Sequence, residues 1–342
     1  MFPRRLFCCL GLLATLSAVP ALLRADEPKT VRPVTTISLM GREDHPFADY
    51  VVLDGSTLYV GFTSIDTLTI VDTDLNTFLA AVPDLPRIHS VAIVPGLGLG
   101  FTSNGGDDTV GVIDLGGRQI VHKIPGGVGP DAIIYDSKAG LLYVADHRGK
   151  TATLIDPKTE KTVATIPLGG TAEYPQADPK TGMVYQNLED TSEVVVVDPK
   201  KQAVVQRFKT APGEGPTGLA LDAAHHRLFC ACGNQKLVVL DAHDGRVVAT
   251  LPIGAGVDFA AYDSRLRRIY TANGDSGTMT VIQQETPDKY TVLEDVPTHP
   301  GGHALAIDPN THRIYLVYGG DVAVYDAVLP GKTPASQEGI GD

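Results

Sequence analysis

The chain has 342 residues, 43% of them hydrophobic, with 36 glycines, 24 prolines, no tryptophan and a formal net charge of −12. Leaving out Arg4, Arg5 and Arg24, which fall in a distinct N-terminal segment, lowers that charge to −15. So acidic a chain, with no Lys/Arg cluster to offset it, repels phosphate backbones, and nucleic acid is excluded as an expected partner.

The N-terminal segment stands apart from everything after it. Arg4 and Arg5 precede an uncharged stretch from Leu6 to Leu23, and Leu23-Arg24-Ala25 before Asp26 provides a small-residue cleavage site. Residues 1–25 therefore read as a secretory signal peptide, which places the mature protein in the periplasm or outside the cell with no membrane contact. An uncleaved anchor is the competing reading of a stretch this long. Arg4-Arg5-Leu6-Phe7 is similar to a twin-arginine export motif, with Pro3 where Ser or Thr is usual, so both export routes stay open.

Residues 31–328 are a repeat. An apolar residue followed by an acid recurs at Val71-Asp72, Ile113-Asp114, Ile155-Asp156, Val197-Asp198, Leu240-Asp241 and Tyr325-Asp326, with Ile282-Gln283 in the sixth place, at steps of 42 or 43 residues. That period, carried by short runs rich in Val, Ile, Thr and Tyr, marks a β-propeller. Seven marks predict an all-β, seven-bladed β-propeller, one domain where length alone would suggest about two. The third unit shows four strand-like runs most clearly, at 131–136, 141–146, 151–156 and 161–167, here called A to D. The fifth repeats them at 217–222, 227–232, 236–241 and 246–252. Their consecutive apolar positions are those of sheets covered on both faces.

Turn chemistry separates the runs. Asp156-Pro157, Asp178-Pro179, Asp198-Pro199 and Asp308-Pro309 put an Asx acceptor and a proline of preset φ at adjacent turn positions. The repeated Asp residues are thus expected to cap turns, not to bind ligands. The last unit, 302–326, has no fourth strand, and residues 329–342 read as a polar tail. Thr35-Thr36-Ile37-Ser38-Leu39 is similar to the D strand Ala164-Thr165-Ile166-Pro167-Leu168, so it is expected to complete the seventh blade. Closure removes an exposed edge, which fits a monomer.

Cys8 and Cys9 fall in the signal. Cys230 and Cys232 alternate on one strand and read as two buried thiols. Without tryptophan, the Trp-Asp mark of WD40 blades is absent.

Leu142-Tyr143-Val144-Ala145-Asp146, Arg268-Ile269-Tyr270-Thr271-Ala272-Asn273, Val110-Gly111-Val112-Ile113-Asp114 and Val163-Ala164-Thr165-Ile166-Pro167-Leu168-Gly169 resemble the YVTN repeat of YncE-like exported bacterial propellers. The likeness spans residues 31–328. It implies the fold but not one activity, since such families include lactonase-like enzymes, a lyase acting on a cyclic antibiotic, and binding proteins. One member type is linked to DNA, against which the acidity of this chain argues.

Five residues before the end of each A strand stands a register position held by Asp49, His89, Asp131, Glu173, Thr217, Asp258 and His303. Asp49, His89, His303 and Asp258 offer imidazole and carboxylate donors of the kind a divalent metal ion takes, with an open position for chemistry. Asp131, Glu173, His147 and Arg148 are expected to contact a ligand, a small molecule or a protein, at the channel mouth. His45 and His299 lie on flanking loops. Polar residues are also what a water-filled funnel requires. The expected function is an exported binding protein, the alternative a metal-assisted lactone hydrolase or lyase. Gly274-Asp275-Ser276-Gly277 matches a protease string but reads as a turn.

Overall fold

The computed structural model describes residues 30–39 and 46–329. The expected signal, His45 and the tail beyond residue 329 lie outside the described residues. Among the described residues there are seven sheets, each of four antiparallel strands. In the third, Pro130–Asp136, Leu141–Asp146, Thr151–Asp156 and Lys161–Pro167 follow one another from the axis outward, within a residue of the expected bounds.

The innermost strands are Val51–Asp54, Ile88–Val94, Pro130–Asp136, Ala172–Ala177, Pro216–Asp222, Val257–Asp263 and Ala304–Ile307. Each lies against the next, and the last lies against the first. The ring is closed by the N-terminal strand Val31–Ser38, which pairs antiparallel with Asp321–Ala327 and becomes the outer strand of the seventh blade. This strand starts four residues earlier than Thr35, because Val31 is buried and Arg32 reaches Asp326 at 2.9 Å.

Turn and core follow from the repeat. Asp156, Asp178 and Asp308 each accept a hydrogen bond at 2.8 Å from the backbone N–H two residues on, and Asp198 does so at 3.0 Å. Phe62, Phe101, Phe229, Tyr143 and Tyr270 are fully buried, each contributing about 1.5–3 kcal/mol of apolar burial. The outer strands differ from expectation: Lys161–Pro167 buries only Ile166 and exposes Val163, since no blade covers the rim. Cys230 and Cys232 are free, buried thiols.

Candidate functional site

Five of the seven register residues sit in bulges. Pairing of the inner strand with its neighbour slips between Ile88 and Val91, Pro130 and Ile133, Ala172 and Pro175, Pro216 and Gly218, and Val257 and Phe259. His89, Asp131, Glu173, Thr217 and Asp258 lie inside those slips. A bulge bends its strand and re-aims the side chain that it carries. Asp49 and His303 stand just before their strands, with the Asp49 amide donating to the Gly61 carbonyl at 3.0 Å.

Two groups of donors result. His89 Nδ1 lies 3.0 Å from Asp131 Oδ1 and also contacts Asp49 Oδ2. His147 Nδ1 lies 3.1 Å from Glu173 Oε1. One donor atom from each of Asp49, His89 and Asp131 lies within 4.8 Å of the other two, and the same holds for Asp131, His147 and Glu173. Asp131 belongs to both. The Tyr50 hydroxyl donates to Asp131 Oδ2 at 3.1 Å and is in hydrogen-bonding reach of Glu173. His147 comes from the loop after Leu141–Asp146, where its amide donates to the Gly129 carbonyl at 2.9 Å.

The remaining expected residues take other places. His303 stacks on Phe47 with ring centroids 4.6 Å apart, and its ring nitrogens lie 2.6 Å from the Ala48 carbonyl oxygen and 2.8 Å from that of Gly301. Its nitrogens are thereby taken by backbone, and neither group of donors includes it or Asp258. Asp258 lines a shallow cavity of about 570 Å³ together with Asp275 and His303. Arg148 donates to Asp108 at 2.6 Å and to the Gly105 carbonyl at 3.1 Å. With Arg87, Arg148 borders a cavity of about 200 Å³ that His89, Asp131 and His147 also line. Thr217 donates to the Val257 carbonyl at 3.1 Å, a structural bond between blades. His299 stacks on Tyr318 at 3.9 Å.

The position after each register residue carries a further feature. The residue after the register position is Tyr50, Tyr174 and Phe259 in blades one, four and six, and their rings meet at 5.1, 4.7 and 6.2 Å. The same position holds Ser90, Ala132, Gly218 and Ala304 elsewhere. These three rings, from well-separated blades, meet one another across the ring of inner strands and form the floor of a cup at the channel mouth. On the far side the channel opens between Leu53, Leu221 and Ile307.

Burial governs the electrostatics. Burial, followed by repulsion from Asp258, pushes the Asp49 carboxyl up to about 8. Asp131 is held well above the usual carboxylate range by burial and then by Asp49, and Glu173 by burial and then by Asp258. Asp258 is raised by burial, with His303 opposing. Burial lowers His89, with Asp131 opposing. Carboxylates from blades one, three, four and six thus feel one another across the mouth, and burial with mutual repulsion disfavours their ionised forms.

No family model matches the chain. Among curated proteins it is similar to the uncharacterized protein YncE of Salmonella typhi and of Salmonella typhimurium, 25% identical over 191 residues in each case. The match covers 53% of this chain and 52% of the relative, so the chain spans about half the length of the curated relatives it matches. Among solved structures it is similar to a chain of Kuenenia stuttgartiensis hydrazine synthase, with TM-score 0.70 and 18% identity over 82% of this chain and 95% of that one. It is also similar to the RRP9 WD40 repeats, with TM-score 0.74 and 10% identity over 87% and 100%. A chain of the mitotic checkpoint complex gives 0.73 and 13% over 94% and 99%. At such identities the structural matches speak for the fold alone.

Proposed function

We propose that this β-propeller, similar over part of its length to YncE, serves as an exported binding protein whose ligand places a cationic group in the cup at the channel mouth. The observation that supports this reading is the convergence of Asp49, Asp131, Glu173 and Asp258 above the Tyr50, Tyr174 and Phe259 rings. Buried carboxylates repel one another and are costly to ionise without a counter-charge, so a bound cation stabilises them. The ligand is a small molecule, or a protein that presents a Lys or Arg side chain. Calorimetric titration with putrescine, an organic dication, tests it. The wild type should bind, and Glu173→Gln combined with Asp258→Asn should weaken binding at least about tenfold, roughly 1.4 kcal/mol. No binding, or equal binding by both proteins, would overturn the reading.

A second reading, a metal-assisted lactone hydrolase or lyase, is favoured by one detail: Arg87 and Arg148 border the cavity into which His89, Asp131 and His147 face. A divalent ion on such donors would polarise a carbonyl oxygen, and the guanidinium groups would hold the carboxylate that ring opening creates. Hydrolysis of dihydrocoumarin by the wild type, lost in Arg87→Ala, would support it. Equal rates would remove it.

A further inference from the structure

We infer that the cup is a paired divalent-cation site with Asp131 as the shared ligand, Asp49, His89 and Asp131 holding one ion and Asp131, His147 and Glu173 the other. This deepens, and rests on, the reading of the cup as a cation-binding site.

Donor chemistry comes first. Each trio supplies one imidazole nitrogen and two carboxylates, a set suited to Zn²⁺ or Mn²⁺, and three protein ligands leave positions open. Spacing agrees. Bonds of about 2.0–2.2 Å around one ion put its donors about 3–4 Å apart, and within each trio no two donors exceed 4.8 Å. Small side-chain adjustments therefore close either trio on an ion. Two of the carboxylates are buried, Asp131 and Glu173 each being 8% exposed, and the half-buried His147 is positioned by its loop amide on Gly129.

Sharing follows from Asp131, which stands in both trios. Oδ1 faces His89 at 3.0 Å, whereas Oδ2 faces Tyr50, whose hydroxyl also reaches Glu173. Asp131 is the member common to both trios, and a carboxylate shared in this way is placed to bridge two ions, which in two-metal sites stand about 3.5–4 Å apart. Tyr50, donating to that bridge, would orient it as outer partners of metal ligands do. Charge closes the case. The two trios together hold three carboxylates, Asp49, Asp131 and Glu173, and with Asp258 acting on Asp49 and Glu173 from outside them the ionised set attracts divalent ions. Arg148 is already paired with Asp108 at the rim.

The test uses untagged full-length protein stripped with a chelator and titrated with Mn²⁺, read by native mass spectrometry and electron paramagnetic resonance. Wild type should take up two ions and show an exchange-coupled spectrum. His89→Gln and His147→Gln should each keep one ion and show the six-line signal of an isolated one. Asp131→Asn should weaken both subsites at least tenfold, with circular dichroism confirming that each variant is folded. Uptake of a single ion by the wild type, or of none, overturns the paired site, as does a variant of His89 that retains both. Putrescine titration of the same samples separates the two ideas. Binding of putrescine without Mn²⁺ uptake refutes the paired site and leaves the cup, whereas Mn²⁺ uptake without putrescine binding refutes only the organic-cation reading.

Discussion

Asp146→Asn should stabilise the propeller at neutral pH and do nothing for it in acid. Asp146 ends the second strand of blade three, fully buried, and its Oδ2 accepts from Thr151 at 2.8 Å and Thr153 at 2.7 Å while Oδ1 has no partner. Burial raises its carboxyl to about 6, against the hydrogen bonds from Thr153, Thr151 and the Gly127 amide. The equivalent residue in blade six is Asn273, whose Nδ2 donates to Thr278 at 3.2 Å and Thr280 at 2.9 Å. In blade two it is Asn104, donating to Thr109 at 3.1 Å. An Asn at 146 can repeat that pattern once the threonine hydroxyls turn to accept, with the Gly127 amide on its oxygen. The sign follows from linkage. The unfolded carboxyl ionises near pH 4 and the folded one near 6, so the folded state binds the proton more tightly and this residue costs stability increasingly between those values. Above pH 6 the full cost is up to about 3 kcal/mol, and below pH 4 it vanishes. Thermal unfolding in the presence of a chelator should therefore show the variant melting on the order of 5 °C above the wild type at pH 7.5, with no gain at pH 4. An equal gain at both values, or a loss at pH 7.5, would refute the argument that an ionised carboxylate is the problem.

Gly127→Ala should destabilise by about 1–3 kcal/mol, since a Cβ there would lie 2.1 Å from the Asp146 carboxyl; a melting point equal to the wild type's would show that Asp146 moves aside freely. Deleting residues 31–38 strips the outer strand from blade seven and should give aggregation in light-scattering chromatography, whereas an unchanged monomer with unchanged melting would mean that closure does not depend on that strand. Intact mass of protein recovered from an exporting host should start at or near Asp26, and recovery of Met1–Ala25 on membranes would show an anchor instead.

The ring was legible because each repeat carries its own punctuation. Apolar-Asp pairs fix the ends of third strands, and Asx acceptors fix turns, so the bounds of Leu141–Asp146 and Thr151–Asp156 follow within a residue. The N-terminal closing strand was legible only in its second half, since Val31, Arg32 and Pro33 share no wording with the other outer strands. Which register residues converge was not legible. Register tells which end of a strand a residue occupies, but a bulge decides where it points, and His89, Asp131 and Glu173 all lie in bulges that no local signal announces. His147 joins Glu173 from a different loop, and His303 spends its nitrogens on the Ala48 and Gly301 carbonyls, bonds to main chain that side-chain pattern does not encode. The aromatic floor did have a signal: one position past each register residue, Tyr50, Tyr174 and Phe259 alternate with Ser, Ala and Gly.

That alternation explains why cup and floor belong together. Seven inner strands leave an axial gap that seven large side chains would overfill and seven small ones would leave wet. Three rings among Ser90, Ala132, Gly218 and Ala304 fill it once, which is the packing that interiors require. A floor of packed rings lowers the local dielectric around Asp49, Asp131, Glu173 and Asp258, and the same lowering that makes these carboxylates costly alone strengthens their attraction for any cation that enters. An open channel would let water screen both effects. The residues that close the ring's axis and the residues that bind at its mouth are neighbours on the same strands, so packing and binding at this site are set by one register.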